Sequence, residues 1–192
     1  GGKLTIWEPH DYALVFLNHK FIDTVFRDGG KWTIDLPKPD VIINDPLLEI
    51  LVEGMGHINF AQFMIDRKGV TDRVTLNGMT LMNWLIYSMP LDYDFMKSGS
   101  HSTRGLSNDK EGVFFTGYFS LNETGDTYFD MSNYSKGVMF VNGHHLGRYW
   151  NIGPQQRLYC PASWLKKGDN EVIVLDLHQK DAAPISGKMT LE

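Results

Sequence analysis

An all-β chain of two sandwiches in tandem is what the sequence predicts, on three observations. Apolar residues recur mainly at the spacing of two that strands require, in runs of about four to eight rich in aromatic and β-branched side chains. Segments with helical spacing are short and broken by Gly, Pro, Asn and Asp. The third observation is a repeat: F-V-N-G-H-H-L-G-R-Y-W from Phe140 to Trp150 is laid out like F-L-N-H-K-F-I-D-T-V from Phe16 to Val25.

The strands read from this pattern lie at 3–8, 13–19, 21–26, 31–36, 47–53, 58–65, 70–76 and 83–89, then at 112–120, 126–131, 137–142, 145–149, 156–160, 170–177 and 187–191. One helical turn is expected over Ser163–Lys167. Adding 124 to each number lays Phe16 on Phe140, Asn18 on Asn142, Ile22 on Leu146, Ile34 on Leu158 and Pro37 on Pro161. The strand Leu4–Trp7 falls on Tyr128–Met131. A one-residue slip then places Leu47–Glu53 on Asn170–Asp176, and a shift of 115 places the segment from Val70 on that from Ile185. Blocks in one order, with turn residues in step as well as apolar ones, mark a duplicated unit.

Each shared element has a physical reason. Asn142-Gly143 supplies the positive φ angles of a tight primed turn. Asn18-His19 makes the same bend at a steric cost on His19. Pro37 and Pro161 each end a strand by removing an N–H donor. The runs I-L-V and V-I-V-L suit central strands covered on both faces. V-F-F-T-G-Y-F, Val113–Phe119, opens copy two, and its equivalent in copy one is expected upstream of Gly1, so the first sandwich is expected to lack its leading strand. The division is 1–96 for the first sandwich, 97–111 for a polar linker and 112–192 for the second.

Composition narrows function. The net charge of −5, without a cluster of Lys and Arg, argues against a nucleic-acid partner. No apolar run approaches the roughly 20 residues of a membrane helix. Cys160, the single cysteine, reads as a small buried side chain rather than a reactive thiol. His144 and His145 point to opposite faces of a strand and the other histidines are scattered, so neither a metal nor a cofactor is expected. No nucleophile elbow, phosphate loop or dinucleotide fingerprint is present. The lead for binding is aromatic. Trp150 and Tyr149 could stack on a sugar face, with Arg148, Asn151 and Gln155 to hydrogen-bond it, although rings at strand ends more often anchor a core or an interface.

The run from Asn142 to Leu175, N-G-H-H-L-G-R-Y-W-N-I-G-P-Q-Q-R-L-Y-C-P-A-S-W-L-K-K-G-D-N-E-V-I-V-L, resembles the C-terminal sandwich of the family 35 glycoside hydrolases, the β-galactosidases. G-V-F-F-T-G-Y-F resembles the strand that opens it. Asp11-Tyr12-Ala13, E-G-M-G-H-I-N-F from Glu53 and I-D-R-K-G-V from Ile65 resemble the preceding sandwich. The resemblance implies galactose-binding-like jelly rolls and a parent enzyme that removes terminal β-galactose with retention, using two Glu residues on a (β/α)₈ barrel. Such a barrel needs about 250 residues and nothing here matches its strands, so no catalytic residue is carried over. The expected partner is that barrel, with galactosides or further subunits as alternatives and no nucleic acid or membrane. The family also implies a periplasmic, secreted or lysosome-like compartment.

Overall fold

The computed structural model describes residues 1–38, 44–100, 111–153 and 156–191, and the chain falls into two compact units, 1–86 and 87–192. The first holds β1 (Gly2–Ile6), β2 (Pro9–His10), β3 (Tyr12–Leu17), β4 (Lys20–Phe26), β5 (Thr33–Leu36), β6 (Leu48–Glu53), β7 (Gly69–Val70), β8 (Val74–Leu76) and β9 (Met79–Thr80). The second holds one helix, α1 (Tyr93–Ser100), and then β10 (Val113–Leu121), β11 (Thr127–Asp130), β12 (Lys136–Val141), β13 (His144–Trp150), β14 (Arg157–Cys160), β15 (Gly168–Asp176) and β16 (Ser186–Lys188).

Unit two is a jelly-roll sandwich. One antiparallel sheet runs β10-β15-β12-β13 and the other β14-β11-β16. Their inner faces meet over Phe129, Met131, Met139, Val141, Tyr149, Leu158, Cys160, Val172 and Val174. On the other face of the larger sheet, Met96 of α1 is buried against Val138, Phe140 and Ile173, which is why all six residues of β12 are buried. The continuous apolar runs thus become strands covered on both sides.

Unit one repeats this plan. Its sheets run β4-β3-β6 and β5-β1-β8-β9, with a short β2-β7 pair beside them. β3, β4 and β5 match β12, β13 and β14 residue for residue at the offset of 124, and each hairpin has its bulge at the same place, between Val15 and Phe16 and between Met139 and Phe140. Three details differ from expectation. Leu48 takes the place of Val172 and Ile50 that of Val174, so no slip is needed. Leu4 corresponds to Phe129, since each faces the matching residue, Ile34 or Leu158, of its neighbour. Leu76 corresponds to Gly187, because both lie opposite those two residues, and the shift of 115 is therefore wrong. Apolar alternation tolerates a sliding register, and only the ladder fixes it.

Other expectations fail for lack of a partner strand. Residues 58–65 form a short helical turn at Ala61–Met64, and 83–89 form no strand. The expected turn at Ser163 lies at Ala162–Trp164. α1 begins inside the segment read as the end of the first sandwich. Its cap is Asp92, whose Oδ1 accepts the Phe95 N–H at 2.9 Å.

Candidate functional site

The segments Asp11-Tyr12-Ala13, 53–60 and 65–70 meet in unit one around two carboxylates. Asp11 stands where the chain enters β3, Asp66 where it approaches β7, and both are buried. Arg27, just after β4, donates to Asp11 Oδ1 and to Asp66 Oδ1, each at 2.9 Å. Lys68 donates from the other side to Asp11 Oδ2 at 2.7 Å, Asp66 Oδ2 at 2.8 Å and the Gly56 carbonyl at 2.9 Å. Backbone N–H groups finish the cage, Met55 to Asp11 Oδ2 at 2.7 Å and Ile58 to Asp66 Oδ2 at 3.2 Å.

Burial alone would raise the Asp11 carboxyl, but Lys68, the Met55 N–H and Arg27 outweigh it and hold it below the usual carboxylate range. At Asp66, Lys68 acts most strongly, with the Ile58 N–H and Arg27 behind it, and its carboxyl lies well below that range. His10 Nδ1 lies 3.5 Å from Asp66 Oδ1, and His10, Asp11 and Asp66 could together offer three ligand atoms to a metal. The donor set does not fit one. All four carboxylate oxygens already accept hydrogen bonds, and the two side-chain donors are cations that would repel another. The arrangement is a clasp holding residues 53–69 on the sandwich.

That held segment is apolar and outward-facing. Phe60 is 75% exposed and Ile65 is 85% exposed, with Phe63 and Met64 also bare to solvent. Met79, Met82, Leu85 and Ile86 are exposed as well, Ile86 at 90%. A clasp of buried ion pairs that presents large apolar side chains to water is costly unless something covers them.

The candidates for sugar binding lie on and just after β13, and Tyr149 does not share a surface with the others. Tyr149 is 2% exposed, a core residue whose hydroxyl donates to Asp176 Oδ2 at 3.0 Å, so it has no face for a sugar. Strand alternation put it inward between its outward neighbours. Trp150 is half-buried, and the ammonium of buried Lys136 lies 4.5 Å from its ring centroid. Arg148 and Asn151 are exposed; the Asn151 N–H donates to the Ser135 carbonyl at 2.8 Å. Gln155 lies outside the described residues. Cys160 is buried, and burial pushes its thiol up to about 11, the unreactive state expected of it.

Sequence reasoning missed the clasp because its acids and cations are up to 57 residues apart. The signal was there: Asp11 and Asp66 are acids within otherwise apolar or turn-rich segments, each preceding a strand that needs an anchor.

The first all-beta domain of β-galactosidase matches residues 2–90, and the β-galactosidase galactose-binding domain matches residues 112–170. Beta-galactosidase-1-like protein 3 of Rattus norvegicus is 39% identical over 184 residues, covering 94% of this chain and 28% of the relative. Beta-galactosidase 17 of Arabidopsis thaliana is 36% identical over 203 residues, 92% of this chain and 29% of the relative. Beta-galactosidase of Mus musculus is 33% identical over 151 residues, 68% of this chain and 23% of the relative. The chain thus spans under a third of the length of these relatives.

Proposed function

The chain belongs to the family 35 glycoside hydrolases, the β-galactosidases, and from that premise we propose that it is a non-catalytic accessory region, two jelly rolls that pack on and support a catalytic barrel absent from this chain. The observation that carries this reading is the clasped apolar segment. Phe60, Phe63, Met64 and Ile65 are exposed on a loop that the Asp11–Arg27–Asp66–Lys68 network holds in place. A free-standing module gains nothing from such a surface, whereas a domain that docks on another buries it.

The test is a complete polypeptide carrying Phe63→Asp with Ile65→Asp. The reading expects a thermal midpoint lower by several degrees, since burying two such side chains contributes about 3–6 kcal/mol. KM for a nitrophenyl β-galactoside should stay the same. An unchanged midpoint would overturn the docking role. A galactoside-binding module is the rival, and titrating the isolated chain with galactose decides it: saturable shifts lost on Trp150→Ala would support that rival.

A further inference from the structure

The duplication gives one structural position an occupant in the second copy that the first copy lacks. In unit two, β10 covers the outer edge of β15 along nine residues, Phe115 facing Val174 and Gly117 facing Val172. In unit one, β6 stands where β15 stands, and among the described residues no strand pairs with its outer edge. The Asn18 N–H donates to the Leu47 carbonyl, so alternate residues from Leu47 turn their backbone groups toward β3, and Leu48, Ile50 and Val52 turn theirs outward. The side chains agree. Val172 and Val174 are buried beneath Phe115 and Phe119, whereas Leu48, Ile50 and Val52 are only partly buried.

We infer that the β6 edge is an acceptor for one further antiparallel strand, of about seven to nine residues with large apolar side chains at alternate positions. The geometry points to a strand that precedes β1 in the order of the same polypeptide, as β10 precedes β11. The inference stands on the repeat alone and does not depend on the accessory role proposed above. Main-chain hydrogen bonds would supply affinity, and the half-covered Leu48, Ile50 and Val52 would receive the inward side chains.

The probe is the chain's own copy-two sequence, V-F-F-T-G-Y-F-S-L, as a synthetic peptide added to the whole chain, with amide hydrogen exchange as the readout. Exchange at Leu48, Ile50 and Val52 should slow by at least about tenfold. By the register of β10 on β15, methylating the peptide nitrogens that match Phe115, Gly117 and Phe119 should abolish that protection, and methylating those that match Phe114, Thr116 and Tyr118 should leave it intact. Fusing the same sequence ahead of Gly1 through a flexible Gly/Ser linker should protect these amides more than an equimolar free peptide, because the strand becomes intramolecular. No protection, protection indifferent to the methylation pattern, or a fusion no better than free peptide would each overturn the inference. Protection that appears without peptide and rises with chain concentration would overturn it too, by assigning the edge to a second copy.

Discussion

Asn18 and Asn142 do the same work in the two copies. Both sit at positive φ, 50° and 49°, and both extend a ladder past its end: Asn18 Oδ1 accepts the Leu47 N–H at 2.8 Å, and Asn142 Oδ1 the Glu171 N–H at 3.0 Å. Asn142 adds donations to Asn170 Oδ1 and to the Trp164 carbonyl. Asn142→Ala loses these bonds and the side chain that tolerates the turn, so a loss of about 2–3 kcal/mol is expected in denaturant unfolding. Tyr149→Phe should cost about 1–3 kcal/mol by leaving Asp176 short of a donor, and should not alter any galactose response. Gly137 is the copy-two equivalent of Ala13. A Cβ there would stand 1.8 Å from the Leu175 carbonyl oxygen, so Gly137→Ala should cost more than the ordinary 1–3 kcal/mol of overpacking, about 3 or above. The turn asparagines were legible in the sequence because their chemistry is local. The inward position of Tyr149 was not, since the bulge in its hairpin shifts the alternation that would have marked it.

At the scale of elements, the clasp makes unit one sensitive to acid. The carboxyls of Asp11 and Asp66 are lowered on folding, so each contributes stability that is fully present above the unfolded value of about 4 and is lost as pH falls through the folded value. The thermal midpoint of unit one should therefore fall progressively below about pH 4, and a Lys68→Met variant should begin from a lower midpoint and lose less on acidification. With Lys68 partly solvated, the substitution is expected to cost about 2–3 kcal/mol at neutral pH. An acid profile for the variant parallel to that of the parent would remove the clasp from the account. Strand existence was largely readable from alternation, but residues 58–65 and 83–89 were misread. An apolar run with no partner strand looks the same in sequence as one that has found its sheet. α1 was missed although Asp92, Asp94 and Lys97 carry its cap and end charges, because it is short and contains Gly99.

For the whole molecule, the repeat was the most informative feature in the sequence, and the ladders turn it into a correspondence of sheets, bulges and turn bonds. The copies then diverged in use. Unit two closes its larger sheet with β10 and seals that sheet's outer face with α1, while in unit one no strand among the described residues pairs with the outer edge of β6, and Phe60, Ile65, Met82 and Ile86 face solvent. Unit two covers both faces of its larger sheet with its own residues. Unit one has its inner core but, among the described residues, an uncovered edge and exposed apolar side chains, which the proposed accessory role assigns to a docking partner. The most direct measurement of that claim is complementation: the chain is mixed with the separately produced remainder of its parent polypeptide, and association and nitrophenyl β-galactoside hydrolysis are followed together. The account predicts a stable complex that restores or stabilises turnover, with none from the chain alone. A remainder that is equally active and equally heat-resistant without the chain, and does not bind it, would contradict the account.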